Sequence, residues 1–284
     1  MRSRIFYVAK INIHGNIFSQ DLNKLIHEEI PRVIRDADTI KINSWNWSFT
    51  DITTNVSDGQ SYFTGNLTKS KKKKYKAKIG SETYQKQSED EMAETAFFLY
   101  LPDKEILIHE STSEINKKNF IQVFTQLLST NHVIGKVIIN HIPIRNDIRQ
   151  EIKSIEKVTE LNISLIHPNP GKSEYNLYNK LIFENQLKTL DIDMKNQDGI
   201  HVLDEDSQEF TPNIESALTL VEAGYGSIGV KGHDTKVVQG KRKQRIEKIP
   251  RKYDTSKSIQ NKKITDTDPE ITTKKLLDFV KKFF

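Results

Sequence analysis

Residues 68–78, TKSKKKKYKAK, carry seven lysines (Lys69, Lys71, Lys72, Lys73, Lys74, Lys76 and Lys78), one aromatic, Tyr75, and no acid. Ammonium groups at this density suit the neutralisation of a polyanion. Lysine is a flexible point charge fitted to phosphates, whereas base reading favours the forks of arginine and asparagine. A second basic segment, 236–252, sets eight basic side chains against the single acid Glu247, with Lys241, Arg242, Lys243 and Arg245 at its centre and Tyr253 just beyond. The competing reading of the lysine run is a solvated turn whose charges keep an edge strand from pairing. Seven lysines within 69–78 exceed what edge protection requires.

Other constellations point less clearly to chemistry. Asp103 followed at a distance by Glu151-Ile152-Lys153 has the outline of a metal-dependent nuclease, in which carboxylates hold a divalent ion and a lysine lies beside the attacking water. That chemistry wants the E-x-K on a strand, and here it falls within a helical pattern while Asp103 serves a turn. The glycines Gly224, Gly226, Gly229 and Gly232 fit neither a dinucleotide fingerprint nor a phosphate loop, and read as a closely packed strand. The eight histidines show no i, i+4 pair on a helix, so no metal site and no cofactor is expected. Trp45, Trp47 and Phe49 share a strand face; stacked bases would use such a stripe, but sheet core is its commoner use.

The whole composition bounds these readings. The 284 residues suffice for one large domain or two modest ones, and the absence of cysteine removes disulfides, thiolate metal sites and thiol nucleophiles. No apolar run approaches the length that spans a bilayer, so the expectation is a cytoplasmic protein without membrane insertion of its own. The net charge of +5 is mild but uneven, because the charged residues of 191–209, including Asp204, Glu205 and Asp206, are mostly acids.

The elements that must position the basic residues follow from periodicity. Alternation predicts strands over 4–13, 41–50, 60–68 and 74–80, with a helix opened by Ser19 and interrupted at Pro31. Residues 88–96 read as a turn or short helix. FFLYLPDKEILIHES, 97–111, predicts a hairpin turning at Pro102-Asp103-Lys104, followed by an amphipathic helix to Leu128. A strand, a helix and a strand then form a β-α-β unit ending at Pro168. Beyond it come a helix over 173–188, an acidic loop, a helix from Asn213, a glycine-rich strand, a polar linker and a terminal helix started by Asp268-Pro269. The expected class is α+β: mixed, largely antiparallel sheets with flanking helices, one central β-α-β unit and a helical C-terminus. The expected division is 1–168 and 169–284, with a single domain as the alternative.

The order of elements, with SYFTGNLTKSK, the FFLYLPDKEILIHESTSEINKKNFIQVF hairpin and helix, and ISLIHPNPGKSEYN, resembles the lambda-type superinfection-exclusion (RexA) family and related bacterial phage-defence families, over roughly 3–190. The resemblance implies a homodimeric α+β protein that binds DNA with little sequence preference and senses infection. A separate effector, or an antitoxin-type protein partner, would then act. It carries over no catalytic residues. The reading is therefore a non-enzymatic DNA-binding sensor of an anti-phage system, with Lys69, Lys71 to Lys74, Lys76, Lys78, Lys241, Arg242, Lys243 and Arg245 on the backbone. A subunit that recognises an acidic protein partner is the alternative, and a metal-dependent nuclease the second alternative.

Overall fold

A computed structural model describes residues 3–14, 21–168, 177–239 and 244–281. The chain forms two compact units, one of residues 1–139 with 261–284 and the other of residues 140–260.

The first unit opens with β1 (Arg4–His14) and a helical stretch made of α1 (Leu22–Lys24), a π turn (Leu25–Glu29) and α2 (Ile30–Asp36). Asp21 caps it, accepting from the Lys24 amide at 3.0 Å; the expected cap, Ser19, lies outside the described residues. Pro31 does not stop the helix. The wider π turn just before it changes the hydrogen-bond ladder where proline has no N–H to give, and the helix runs on to Asp36. Strands β2 (Ile40–Ile42), β3 (Trp45–Ser57), β4 (Gln60–Lys71), β5 (Lys74–Ile79), β6 (Glu82–Gln87), β7 (Met92–Leu101) and β8 (Ile106–Ser111) follow, then α3 (Lys117–Leu128) and β9 (Lys136–His141). Residues from Met92 on, expected as a turn or helix, are strand because each pairs with β4, Lys71 opposite Met92 and Lys69 opposite Glu94.

The second unit holds α4 (Arg145–Ser154), β10 (Lys157–Ile166), α5 (Leu177–Glu184), β11 (Thr189–Lys195), α6 (Pro212–Glu222), β12 (Gly226–Gln239) and β13 (Gln244–Asp254). The chain then returns to the first unit as β14 (Asn261–Ile264) and α7 (Pro269–Val280). The large sheet runs β14-β1-β8-β7-β4-β3-β2 with β9 also paired to β1; the second unit's sheet runs β11-β10-β12-β13. The architecture is α+β, largely antiparallel, with a helical C-terminal element.

The division falls elsewhere than at 168/169. The β10 strand before the proline turn pairs with β11 and β12 after it, so a cut at that point would sever a hydrogen-bonded ladder. The central strand–helix–strand order is present, with β9 and β10 entering different sheets. The start of the expected acidic loop is β11, whose Asp191 and Asp193 alternate with half-buried Leu190, Ile192 and Met194. The expected polar linker contains β14, which pairs with β1 from Arg4 opposite Ile264 to Tyr7 opposite Asn261.

The main core lies on one face of the large sheet, where Ala9, Ile11, Phe98, Tyr100 and Leu107 meet Ile34 of α2 and Phe120, Phe124 and Leu127 of α3. Alternation sends Phe6, Val8, Leu99, Ile106 and Ile108 to the opposite face, and all five are buried. Leu276 and Val280 of α7 are buried as well.

Candidate functional site

The lysine run begins in β4 and ends in β5, and strand alternation separates its members. Lys69 points into the protein. Its ammonium donates to the Glu114 carbonyl at 2.8 Å and to the Glu114 carboxylate at 3.0 Å, and it is 7% exposed. The Lys69 ammonium in turn holds the Glu114 carboxyl below its ordinary range. Lys71 is half-buried, with its ammonium 4.0 Å from the centroid of the Trp45 ring; Lys69 and Lys73 approach the same ring at 4.7 and 6.0 Å. Lys72, Lys73 and Lys74 are exposed.

Trp45 thus floors a shallow groove of about 610 Å³ walled by Lys41 and Lys71 to Lys74, with Glu91 at its side. Glu91 is engaged, accepting from the Asn46 amide at 2.6 Å and from the Ser70 hydroxyl. Trp47, next on the same strand face, is 6% exposed in the core, and Phe49 packs its ring on Phe98 and Phe124. The aromatic stripe is therefore sheet core that ends in a lysine-bearing indole.

Beyond the groove the chain turns back on itself as a separate two-stranded sheet, β5 with β6, closed by Gly80-Ser81 with Gly80 at φ 63°. Positive φ at the first loop position suits glycine and the twist of a two-residue hairpin. Register divides this ribbon into two chemically different faces. Lys74, Lys76 and Lys78 face the same way as Gln87, Gln85 and Thr83, a face without an acid. Tyr75, Ala77 and Ile79 share the other face with Lys86, Tyr84 and Glu82. Lys41, Lys86 and Tyr84 escaped the sequence reading; pairing across Gly80-Ser81 is the signal that would have placed Tyr84 opposite Ala77.

The second basic segment also lies on a hairpin, the outer half of β12 and β13. Arg245 is exposed opposite Val238, while Lys241, Arg242 and Lys243 lie outside the described residues. Tyr253 is buried near the base of that hairpin, with burial pushing its hydroxyl up to about 12. In the acidic stretch, Asp204 is a turn former, accepting from the Ser207 amide at 2.9 Å and hydroxyl at 3.0 Å, which lowers its carboxyl.

The remaining candidates take structural places. Asp103 sits in the turn Pro102–Lys104, 3.0 Å from the His27 ring. Glu151 and Lys153 ride on α4 as expected, Lys153 donating to the Gln208 carbonyl at 3.1 Å. Gly226 and Gly232 are where β12 approaches β10 so closely that a Cβ would lie 2.3 Å from the Ser164 carbonyl oxygen or 2.2 Å from that of Lys157. His109 is fully buried and stacked on Phe120 at 4.3 Å. Among the described residues, no three His, Asp or Glu side chains gather as a metal site, and no helix is long and apolar enough to cross a membrane.

Comparison with curated proteins finds no match, so no named relative supports the resemblance to superinfection-exclusion proteins. The model of a domain of unknown function, DUF4747, matches residues 4–268, and the chain belongs to that family.

Proposed function

We propose that the protein is a non-enzymatic nucleic-acid-binding protein that grips the phosphate backbone of DNA without regard to sequence. One observation carries this reading: the Trp45 groove and the acid-free face of the β5–β6 ribbon together present Lys41, Lys72, Lys73, Lys74, Lys76 and Lys78 to solvent. A two-stranded ribbon also has a shape that a major groove admits. The resemblance drawn from the sequence extends the proposal to a role: a homodimeric sensor in a bacterial anti-phage system that signals to a protein effector.

The test is a gel shift of duplex and of single-stranded DNA at two salt concentrations. Backbone contacts release counterions, so affinity falls steeply with salt, by roughly −0.9 in log K against log salt for each phosphate neutralised. Absence of binding at low salt to duplex and to single-stranded DNA alike sinks the proposal. Binding of an acidic protein in place of DNA would favour the alternative of a protein-recognition subunit. Magnesium-dependent cleavage of plasmid would overturn the non-enzymatic reading. The anti-phage role is tested by plaque counts with and without the gene product, and equal counts would remove it.

A further inference from the structure

The face of the β5–β6 ribbon that carries no lysine run has its own chemistry. Tyr75, Ile79 and Tyr84 are 50%, 56% and 47% exposed there, although a lone two-stranded ribbon is marginal in water unless something packs on it. Tyr75 has no ring partner among the described residues. Tyr84 is steadied by its hydroxyl, which donates to the Glu82 carboxylate, while about half of the residue stays open to solvent. We propose that this face stacks unpaired bases on Tyr75 and Tyr84, making single-stranded nucleic acid the preferred ligand. The inference rests on the nucleic-acid reading above and names the class of ligand.

Register and charge argue for that occupant. Tyr84 stands opposite Ala77 and Tyr75 opposite Lys86, so the two rings are diagonal neighbours on one face. Such positions lie about 7–8 Å apart, whereas successive bases of a duplex strand are spaced by about 3.4 Å. Two rings rooted at such positions suit an extended strand with splayed bases better than a stacked one. Ala77, the small residue of the face, stands opposite Tyr84. Lys86 beside Tyr75 supplies a cation for a phosphate next to a stacked base, and the single acid, Glu82, is engaged by Tyr84. Trp45 does not serve as the platform, because the Lys71 ammonium already covers its ring at 4.0 Å. Base–aromatic stacking tolerates any sequence, since every base has a π-face.

Fluorescence anisotropy of the full chain with three labelled ligands tests the inference: oligothymidine, an abasic strand of equal length and charge, and a duplex of that length. The parent should favour oligothymidine over the abasic strand by about 5- to 150-fold for each base stacked. Tyr75→Ala with Tyr84→Ala should bring oligothymidine down to the abasic level while leaving abasic affinity and salt slope unchanged. Tyr75→Phe with Tyr84→Phe should keep the preference, because the ring faces remain, and it serves as the folded control. Equal parental affinity for oligothymidine and abasic strand overturns the inference while leaving the backbone grip intact. No binding of any ligand at low salt overturns the nucleic-acid reading itself. A double-alanine variant that changes from dimer to monomer yet retains the thymidine preference would make the face a contact with a second copy, and would also overturn it.

Discussion

The Lys71 ammonium stands 4.0 Å from the centroid of the Trp45 ring, and the Lys69 ammonium stands 4.7 Å from the same ring. One indole thus collects two lysines from one strand face. A cation–π contact of this kind is worth about 0.5–1 kcal/mol at an exposed site. Its larger effect is to hold lysines whose side chains would otherwise be mobile, so that less freedom is lost when an anion arrives.

Replacing Trp45 separates preorganisation from charge. Trp45→Leu should weaken polyanion binding a few-fold with the salt slope unchanged, since every ammonium remains. Trp45→Phe should fall between it and the parent. In the parent, ligand binding should alter tryptophan emission through Trp45, because Trp47 is 6% exposed in the core. A change of slope in Trp45→Leu would contradict this division of roles.

The lysines should divide by exposure. Lys72→Ser, Lys73→Ser and Lys74→Ser together should remove about two or three units of salt slope, with folding stability changed by no more than about 0.5 kcal/mol. Lys69→Ala should do the reverse: the slope stays, and stability falls by about 1–3 kcal/mol because its hydrogen bonds to Glu114 are lost at a buried position. Titrations with thermal melts on both variants check this, and equal slope losses would refute it.

Arg149 of α4 donates to Glu215 at 2.7 and 2.8 Å and to Glu222 at 2.7 and 3.1 Å. Arg149→Met should destabilise the protein by about 1–3 kcal/mol, limited by Arg145, which still reaches Glu222 at 3.1 Å. The Arg149 hydrogen bonds hold the Glu215 carboxyl below its ordinary 4.5. A lowered carboxyl contributes stability that is fully present above its ordinary value and disappears as pH falls through the folded value. The difference in melting temperature between parent and variant should therefore be constant near neutrality and shrink below about pH 4.5. A pH-independent difference would mean that charge is not the cause.

Deleting residues 270–284 should remove the buried Leu276 and Val280 of α7 from the fold and cause aggregation. Leu276→Ala, at a fully buried position of α7, should cost about 2–5 kcal/mol without changing DNA affinity. Unchanged melting would place α7 outside the fold's cooperative unit. Phe283 and Phe284 of the same C-terminal stretch lie outside the described residues.

The acidic stretch needs two variants, because its members differ. Asp204→Asn should lower stability by weakening the turn to Ser207. Glu205→Gln with Asp206→Asn should tighten polyanion binding at low salt if these exposed acids screen the basic surface, an effect limited to about 10 Å at 0.1 M salt. Equal affinities at low salt would leave them as solvated surface.

Local chemistry alone determined much of this protein. Alternation in RIFYVAKINI, the helical stripe of Phe120, Val123, Phe124 and Leu127, and Asp268-Pro269 each specify an element through forces acting between near neighbours. The density of Lys69 to Lys78 likewise marked a cationic segment from composition. What only the tertiary structure decided is pairing between distant segments. The run of lysines reads as one charge, yet strand phase buries Lys69, lays Lys71 on Trp45 and leaves Lys74, Lys76 and Lys78 on the acid-free face of the ribbon. The hydrogen-bonded ladder that carries β10 past the proline turn to β11 and β12 set the boundary of the second unit, and the pairing of β1 with β14 returned the C-terminus to the first. Such long-range register is a property of two segments together, and neither segment encodes it alone.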